Sequence, residues 1–167
     1  IGFCIFNTNV WFTLELSTYI KTINSDVKII FGGPEATVSY YTNEHKVRDI
    51  VKCGVVDAVV FGEGDVTVSE LVDAICSEKY DYDDIDGIYY FKDGEVKANK
   101  WRQFIPDIDK IPIPDYSDID FQLYQQPEIP IVLSRGCNYS CIYCGVKMYW
   151  KKASDFRKRS SQNIFEE

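Results

Sequence analysis

The sequence has little histidine and methionine and contains no long apolar run. Only one of its 167 residues is histidine and only one is methionine. No apolar stretch approaches the ~18 residues that would be read as a transmembrane helix, and no segment has the pattern of a secretory signal. The missing apolar run argues for a soluble protein and against a membrane-spanning one. Without a secretory signal, the six cysteines fit a reducing compartment, where cysteines are more often ligands or core residues than disulfides, so we expect a soluble protein of the cytoplasm.

Basic residues are also scarce over most of the chain. The net charge is -8, and residues 1–130 contain 11 Lys and Arg against 23 Asp and Glu, whereas residues 131–167 contain 7 against 3. An acidic surface repels the phosphates of nucleic acids and anionic membranes. We expect neither nucleic acid nor a membrane among the partners of this chain.

Three of the six cysteines lie close together directly after an apolar run. Cys137, Cys141 and Cys144 have the spacing C-x3-C-x2-C. Thiolates hold iron–sulfur clusters, and a cubane 4Fe-4S cluster normally takes four of them. A loop that supplies only three leaves one iron without a protein ligand, and such an iron is a place to bind and activate a small molecule. The spacing therefore favours a catalytic iron–sulfur site.

A structural zinc site is the alternative interpretation of this loop. Such a site needs four ligands and usually shows paired cysteine or histidine spacings. The single histidine, His45, lies far upstream, and the other three cysteines occur singly in segments with the composition of a core. We interpret Cys4, Cys53 and Cys76 as small buried hydrophobes.

Strand and helix patterns alternate in the first part of the chain. Apolar strand-forming runs are predicted at residues 1–6, 27–31 and 57–61. Helical patterns follow the first run at residues 10–23 and the third run up to Cys76, and a short helix is predicted at residues 44–53. This order predicts βαβ units with a parallel sheet. The apolar stripes that we expect to face the core are Phe12, Leu16, Tyr19, Ile20 and Ile23; Val47, Ile50 and Val51; and Val68, Leu71, Val72 and Ile75.

Two glycine-containing turns follow predicted strands. They are Gly32-Gly33-Pro34 and Gly62-Glu63-Gly64-Asp65. Glycine allows the backbone to approach a ligand closely, and ligands of open α/β sheets bind at the carboxyl ends of the strands. The alternative without a ligand is that Gly32-Gly33-Pro34 is only a turn. Likewise, Glu63 and Asp65 would then serve only to stabilise the start of a helix, through the interaction of their charge with the helix dipole.

The remaining segments are a hairpin and an extended stretch. Asp93-Gly94 between alternating segments predicts a β-hairpin. Residues 104–130 contain five prolines and little periodicity, which predicts an ordered but extended linker. Ile131–Ser134 predicts the first strand of a further sheet.

The residues around the cysteines resemble the radical S-adenosylmethionine (radical SAM) family. The resemblance is carried by Arg135-Gly136-Cys137, by the C-x3-C-x2-C spacing and by Tyr143 before the last cysteine. Residues 156–167 are similar to the helix start that follows the cluster loop in the cobalamin-binding branch of that family. The two glycine-containing turns also lie where that branch has the turns of its cobalamin domain.

The resemblance implies a fold and a division into domains. It implies an α/β protein with a Rossmann-like (flavodoxin-like) parallel sheet, followed by the start of a partial barrel. Residues 1–103 would be a cobalamin-binding domain without its N-terminal strands, residues 104–130 the linker, and residues 131–167 the beginning of the radical SAM domain. On this interpretation the chain is a fragment of a longer enzyme and is inactive alone.

The resemblance also implies the cofactors and their contacts. Cys137, Cys141 and Cys144 would hold a 4Fe-4S cluster, and Tyr143 would lie near the adenine of S-adenosylmethionine, although an aromatic residue in a loop is also common packing. Gly32, Gly33, Pro34, Gly62, Glu63 and Gly64 would contact cobalamin. Arg135, Arg157 and Arg159 either bind acidic cofactor groups or form a basic helix start in solvent.

The implied reaction is the reductive cleavage of S-adenosylmethionine to a 5′-deoxyadenosyl radical. It would serve methyl transfer or related C–H functionalisation of a small-molecule substrate, with flavodoxin or ferredoxin as electron donor. The alternative from a different class is a non-catalytic module that binds cobalamin or a nucleotide.

Overall fold

The computed structural model describes residues 1–42, 45–78, 81–126, 128–139, 141–145 and 156–167. They form two compact units, Ile1–Gln103 and Phe104–Glu167. The first unit has the range expected for the Rossmann-like domain, and the second joins the expected linker to the residues after it. The predicted helix start at residue 44 and Pro127 lie outside the described residues. The functions assigned to these ranges stay predictions.

The first unit contains a five-stranded sheet in the order β1-β2-β3-β4-β5. Strands β1 (Gly2–Cys4), β2 (Ile30–Gly32) and β3 (Ala58–Val60) run parallel to one another. Strand β4 (Ile88–Lys92) is antiparallel to β3, and β5 (Glu95–Ala98) is antiparallel to β4. The expected parallel-rich, Rossmann-like α/β fold is confirmed.

Four helices connect these strands in the described residues of the first unit. They are α1 (Val10–Ile23), α2 (Pro34–Thr42), α3 (His45–Lys52) and α4 (Gly64–Cys76). Helix α1 has the predicted bounds, whereas α2 was not predicted. The available signal was Pro34, because proline is favoured at the first position of a helix.

Apolar residues on the two faces of the sheet form two cores. Phe31, Val59 and Phe61 pack on one face with residues of α1, α2 and α3. Ala58, Val60 and Ile88 pack on the other face with Leu71 of α4. Successive residues of a strand point to opposite faces, so the short β3 contributes to both cores.

Helix α1 packs through a face different from the predicted one. Phe12, Tyr19 and Ile23 are 70%, 63% and 71% exposed, and Leu16 is also exposed. Of the predicted stripe, only Ile20 packs against the core. The buried face instead presents Val10, Thr13 and Ser17.

The small residues of this buried face explain the arrangement. Thr13 and Ser17 satisfy their hydroxyls on backbone carbonyls four residues earlier, at 2.9 and 2.7 Å. Their short side chains therefore allow the helix to lie close to the sheet without leaving a buried polar group unpaired. The prediction that the longer stripe faces the core was wrong.

The other two predicted stripes differ in outcome. In α3, Val47, Ile50 and Val51 are buried as predicted. In α4, Leu71 is buried and Ile75 packs against the core, whereas Val68 and Val72 are 39% and 41% exposed. The prediction is therefore confirmed for α3 and is only half right for α4.

The predicted hairpin is confirmed at Asp93-Gly94. Both residues have positive φ, 56° and 85°. A two-residue turn with positive φ at both positions matches the twist of the paired strands, which explains why Asp-Gly suits this position.

The described residues of the second unit contain little regular structure. Short 3-10 turns occur at Ile108–Lys110 and Phe121–Leu123. A two-stranded ladder joins β6 (Ser134–Arg135) to β7 (Arg157–Lys158), and helix α5 (Ser161–Glu166) follows. The strand predicted at Ile131–Ser134 therefore begins only at its last residue. None of the helices in the described part of the chain is long and apolar enough to cross a membrane.

Candidate cofactor sites

The two glycine-containing turns lie at the same edge of the sheet. Gly33 and Pro34 follow β2, and Gly62 follows β3, and these two strands are parallel neighbours. The carboxyl ends of parallel strands meet at one edge, where the ligand crevice of such folds lies. The structure therefore brings together the two turns that the sequence singles out.

A threonine hydroxyl connects the two turns. The Gly62 N–H donates to Thr37 Oγ1 at 3.0 Å, and the same Oγ1 donates to the Gly33 carbonyl at 3.2 Å. Thr37 is buried in the first part of α2. The side chain of Thr37 thus joins the turns after β2 and β3. No sequence pattern indicated this role of Thr37.

Both glycines are required by packing within the chain. Gly33 has a φ of 104°, and a Cβ at this position would lie 2.7 Å from Cys4 Sγ and 3.0 Å from the Ile5 carbonyl oxygen. Gly62 has a φ of 81°, and its Cβ would lie 3.2 Å from the Trp101 ring. Approach of a ligand to the backbone is therefore not needed to explain either glycine.

A charged pair lies beside the first turn. The Lys46 ammonium donates to Glu35 Oε1 at 2.5 Å and to Asn7 Oδ1 at 3.0 Å. Glu35 is 6% exposed, so its carboxylate depends on this pairing. The lysine also ties the segment after β1 to helices α2 and α3.

Glu63 is half-buried at the N-cap position of α4, and its side chain makes no capping hydrogen bond. A negative charge at this position also stabilises the start of a helix, so both interpretations of Glu63 stay predictions. Asp65 lies in the first turn of α4, where its negative charge interacts favourably with the positive end of the helix dipole.

The cysteine loop leaves β6 through Gly136, which has a φ of 85°. Cys137 and Cys144 are half-buried and Cys141 is exposed. The Cys144 N–H donates to the Cys141 carbonyl at 3.2 Å, which makes a tight turn of the last four residues of the motif. Tyr143 is 89% exposed within that turn.

The loop supplies the right ligand chemistry but not an assembled site. Within the described residues, no group of three or more His, Cys, Asp or Glu side chains is arranged to hold a metal. Three accessible thiols in a short loop fit the donor set of a cluster that keeps one open iron. The loop has to close around such a cluster for all three thiolates to reach it.

The remaining cysteines are not core residues. Cys4, Cys53 and Cys76 are all exposed, so the prediction of three buried hydrophobes was wrong. Cys4 lies at the end of the short edge strand β1, Cys53 directly after α3, and Cys76 at the last position of α4, where neighbouring elements do not cover them. His45 is exposed.

The fold and the two sites define a Rossmann-like α/β unit followed by a unit that carries a three-cysteine loop. No family model matches the chain. The chain is 35% identical over 150 residues to an uncharacterized methyltransferase of Pyrococcus horikoshii. This match covers 88% of the chain and 31% of that relative.

Two further relatives carry a different enzyme name. The chain is 28% identical over 164 residues to an anaerobic magnesium-protoporphyrin IX monomethyl ester cyclase of Rubrivivax gelatinosus, covering 93% of the chain and 27% of the relative. It is 25% identical over 142 residues to the cyclase of the same name from Synechocystis, covering 83% and 27%. The chain thus spans about a third or less of the length of these relatives.

These relatives support enzyme activity in the group of proteins to which the chain is related. They suggest the radical SAM superfamily, which the cysteine spacing also resembles.

Proposed function

We propose that the chain is part of a radical SAM enzyme whose cluster is held by Cys137, Cys141 and Cys144. The observation that carries the proposal is the three-thiol loop that leaves β6, with two half-buried thiols and one exposed thiol. When bound, the cluster supplies one-electron reduction to S-adenosylmethionine. The relatives named methyltransferase and cyclase support an outcome such as methyl transfer or related C–H functionalisation.

The residues of the loop have separable roles in this proposal. The three thiols, as thiolates, hold the cluster, and the positive φ of Gly136 turns the chain from β6 into the loop. Tyr143 is exposed beside the last thiol and is available to pack against the adenine. A small-molecule substrate and an electron donor such as flavodoxin or ferredoxin are the partners that this reaction requires.

Anaerobic reconstitution of the full-length protein tests the cluster. We expect a brown protein with about four irons per chain. Cys141→Ala should abolish the iron, whereas Cys76→Ala is the matched control because it removes an exposed thiol outside the loop. Stoichiometric zinc without iron uptake would show that the site is structural.

We further propose that the edge of the first unit binds cobalamin. The supporting observation is that the turns at Gly33 and Gly62 lie at one sheet edge and are joined through Thr37. Glu63, half-buried at the N-cap position of α4, lies at the same edge.

Titration of hydroxocobalamin into the full-length protein, followed by its visible spectrum, tests this site. Glu63→Lys places a longer side chain of opposite charge at the turn and should weaken binding about tenfold. Glu95→Lys is the matched control, because the exposed Glu95 pairs with Lys92 at the far end of β4. No spectral change with the unaltered protein would leave the first unit as a scaffold.

A further inference from the structure

A very short ladder flanks the segment that contains the three cysteines. Strands β6 and β7 pair only through Ser134 with Lys158 and Arg135 with Arg157. One further backbone bond follows, from the Arg159 N–H to the Leu133 carbonyl at 3.0 Å. Because an isolated two-stranded hairpin is marginally stable at best, other contacts have to hold this base.

The Arg159 side chain supplies several of these contacts. Its Nη1 donates to the Val132 carbonyl at 3.3 Å and forms an ion pair with Glu167. Its Nε donates to Asn163 Oδ1 at 2.5 Å, and its Nη2 donates to the Asn163 carbonyl at 3.2 Å. The Arg159 side chain is 11% exposed. It therefore joins the segment before β6 to helix α5 and is not a solvated basic group.

The segment predicted to be a linker is bonded to the same base. The Asp109 carboxylate accepts from the Ser160 N–H at 2.9 and 3.2 Å. The Tyr116 hydroxyl donates to Glu167 Oε1 at 2.6 Å. Residues 104–116 therefore reach both ends of α5.

Arg157 of β7 makes a third attachment to this segment. Its Nη1 donates to the Ile105 carbonyl at 2.7 Å, and its guanidinium carbon lies 5.1 Å from the centre of the Phe104 ring. Strand β7 is thus held directly by Phe104 and Ile105. A free linker would make none of these contacts.

We propose that residues 104–116 are a positioning element for the cysteine loop, and that Tyr116 and Glu167 act on the loop through Arg159. The inference rests on the proposed function, because the position of the loop matters for the reaction only if its three thiolates bind one group. Contacts outside the ligand shell orient metal ligands, and their loss typically weakens metal binding or activity 10–100-fold.

The first arm of the test measures iron in the full-length protein after anaerobic reconstitution. Tyr116→Phe and Glu167→Gln should each speed the loss of iron to a chelator about tenfold. The double variant should be no faster than the faster single variant, because both changes break the same bond. Tyr124→Phe is the matched control, since it removes the hydroxyl of a 60%-exposed tyrosine in the same unit.

The second arm measures the thiols without iron. Phenylarsine oxide binds neighbouring thiols, and the portion of binding that Cys141→Ala abolishes reports the loop. Tyr116→Phe should weaken this portion about tenfold, and Tyr124→Phe should not change it. Circular dichroism of the same variants should be unchanged, because a merely structural loss would lower the helix signal instead.

The two arms separate the possible failures. Equal iron loss in all variants, with iron bound by the unaltered protein, would overturn the positioning role and leave the cluster standing. Absence of iron from the unaltered protein, with arsenical binding still lowered by Tyr116→Phe, would overturn the cluster and keep the positioning role. Additive effects in the double variant would show that Tyr116 and Glu167 do not act through one bond.

Discussion

The thiol sulfur of Cys4 fills the space in which a side chain on Gly33 would lie. A Cβ at Gly33 would be 2.7 Å from this sulfur, which is closer than real contacts allow, and the φ of 104° is itself unfavourable for other residues. The end of β1 and the turn after β2 are therefore fitted to one another, and a substitution at Gly33 disturbs both.

Gly33→Ala should lower the free energy of unfolding by about 2–5 kcal/mol, from roughly 1–2 for the left-handed backbone and 1–3 for the overpacking. Gly54→Ala is the matched control, because Gly54 has a φ of 76° and no atom within 4 Å of its Cβ position. It should cost only the backbone part. Chemical denaturation of both variants measures the difference, and equal losses would show that the contact with Cys4 is relaxed at little cost. A substitution at Gly33 therefore cannot serve as a clean test of ligand binding.

The exposed stripe of α1 should contribute little to the stability of this chain. Val10 is fully buried, and Val10→Ala should cost about 2 kcal/mol. Phe12 is 70% exposed, and Phe12→Ala should change the free energy of unfolding by less than about 0.5 kcal/mol, since alanine also favours the helix. Urea denaturation of the two variants gives the comparison. A large loss for Phe12→Ala would mean that this face is covered in solution.

Acid should weaken the attachment of Asp109 to α5. Hydrogen bonds from the Ser160 side chain and backbone lower the pKa of Asp109. A carboxyl group with a lowered folded pKa contributes stability above its unfolded pKa of about 4, and this contribution is lost as the pH falls through the folded pKa.

Thermal denaturation at several pH values between 7 and 3 measures this contribution. Asp109→Asn should remove part of the loss below about pH 4. Asp118→Asn removes an exposed carboxylate of the same unit and is the control for the loss of one negative charge. Identical profiles for the two variants would contradict the role of Asp109.

The Tyr90 hydroxyl should ionise only at high pH and should stabilise the first unit up to alkaline pH. Burial and then the hydrogen bond to Asp83 raise the pKa of Tyr90 to about 12. Asp81 also raises it, and Lys92, which bonds both aspartates, lowers it. Because the folded pKa is raised, this contribution is complete below about pH 10 and is lost as the pH rises through the folded value.

The ultraviolet absorbance of tyrosinate, recorded after a rapid pH jump, measures this ionisation. Tyr90→Phe should lose a step near pH 12. Asp83→Ala should move the step to lower pH, because the buried ring remains while the acceptor is removed. A spectrum of Tyr90→Phe that matches the unaltered chain across this range would contradict the prediction.

Local patterns predicted the elements well and their contacts poorly. The bounds of α1 and the turn at Asp93-Gly94 follow from residues adjacent in sequence, and both are found as predicted. Which face of α1 is buried depends on the elements that lie next to it, and a stripe of large apolar residues does not specify them. For the same reason the exposure of Cys4 was missed.

The contacts within the candidate sites could not be predicted from the sequence either. Thr37 reaches Gly62 across 25 residues, and Tyr116 reaches Glu167 across 51. Neither residue belongs to a spacing pattern, so only the fold reveals that it touches the turns or the base of the loop. The cysteine spacing was different, because three ligands of one loop are encoded by local sequence.

The hydroxyl of Thr37 has a consequence for affinity at the edge of the first unit. It holds the turns at Gly33 and Gly62 together before anything binds. The distance between the two turns is therefore already fixed when a ligand arrives. Little conformational entropy then has to be lost on binding, and more of the contact energy appears as affinity. The same rigidity restricts the range of ligand widths that this edge can accept.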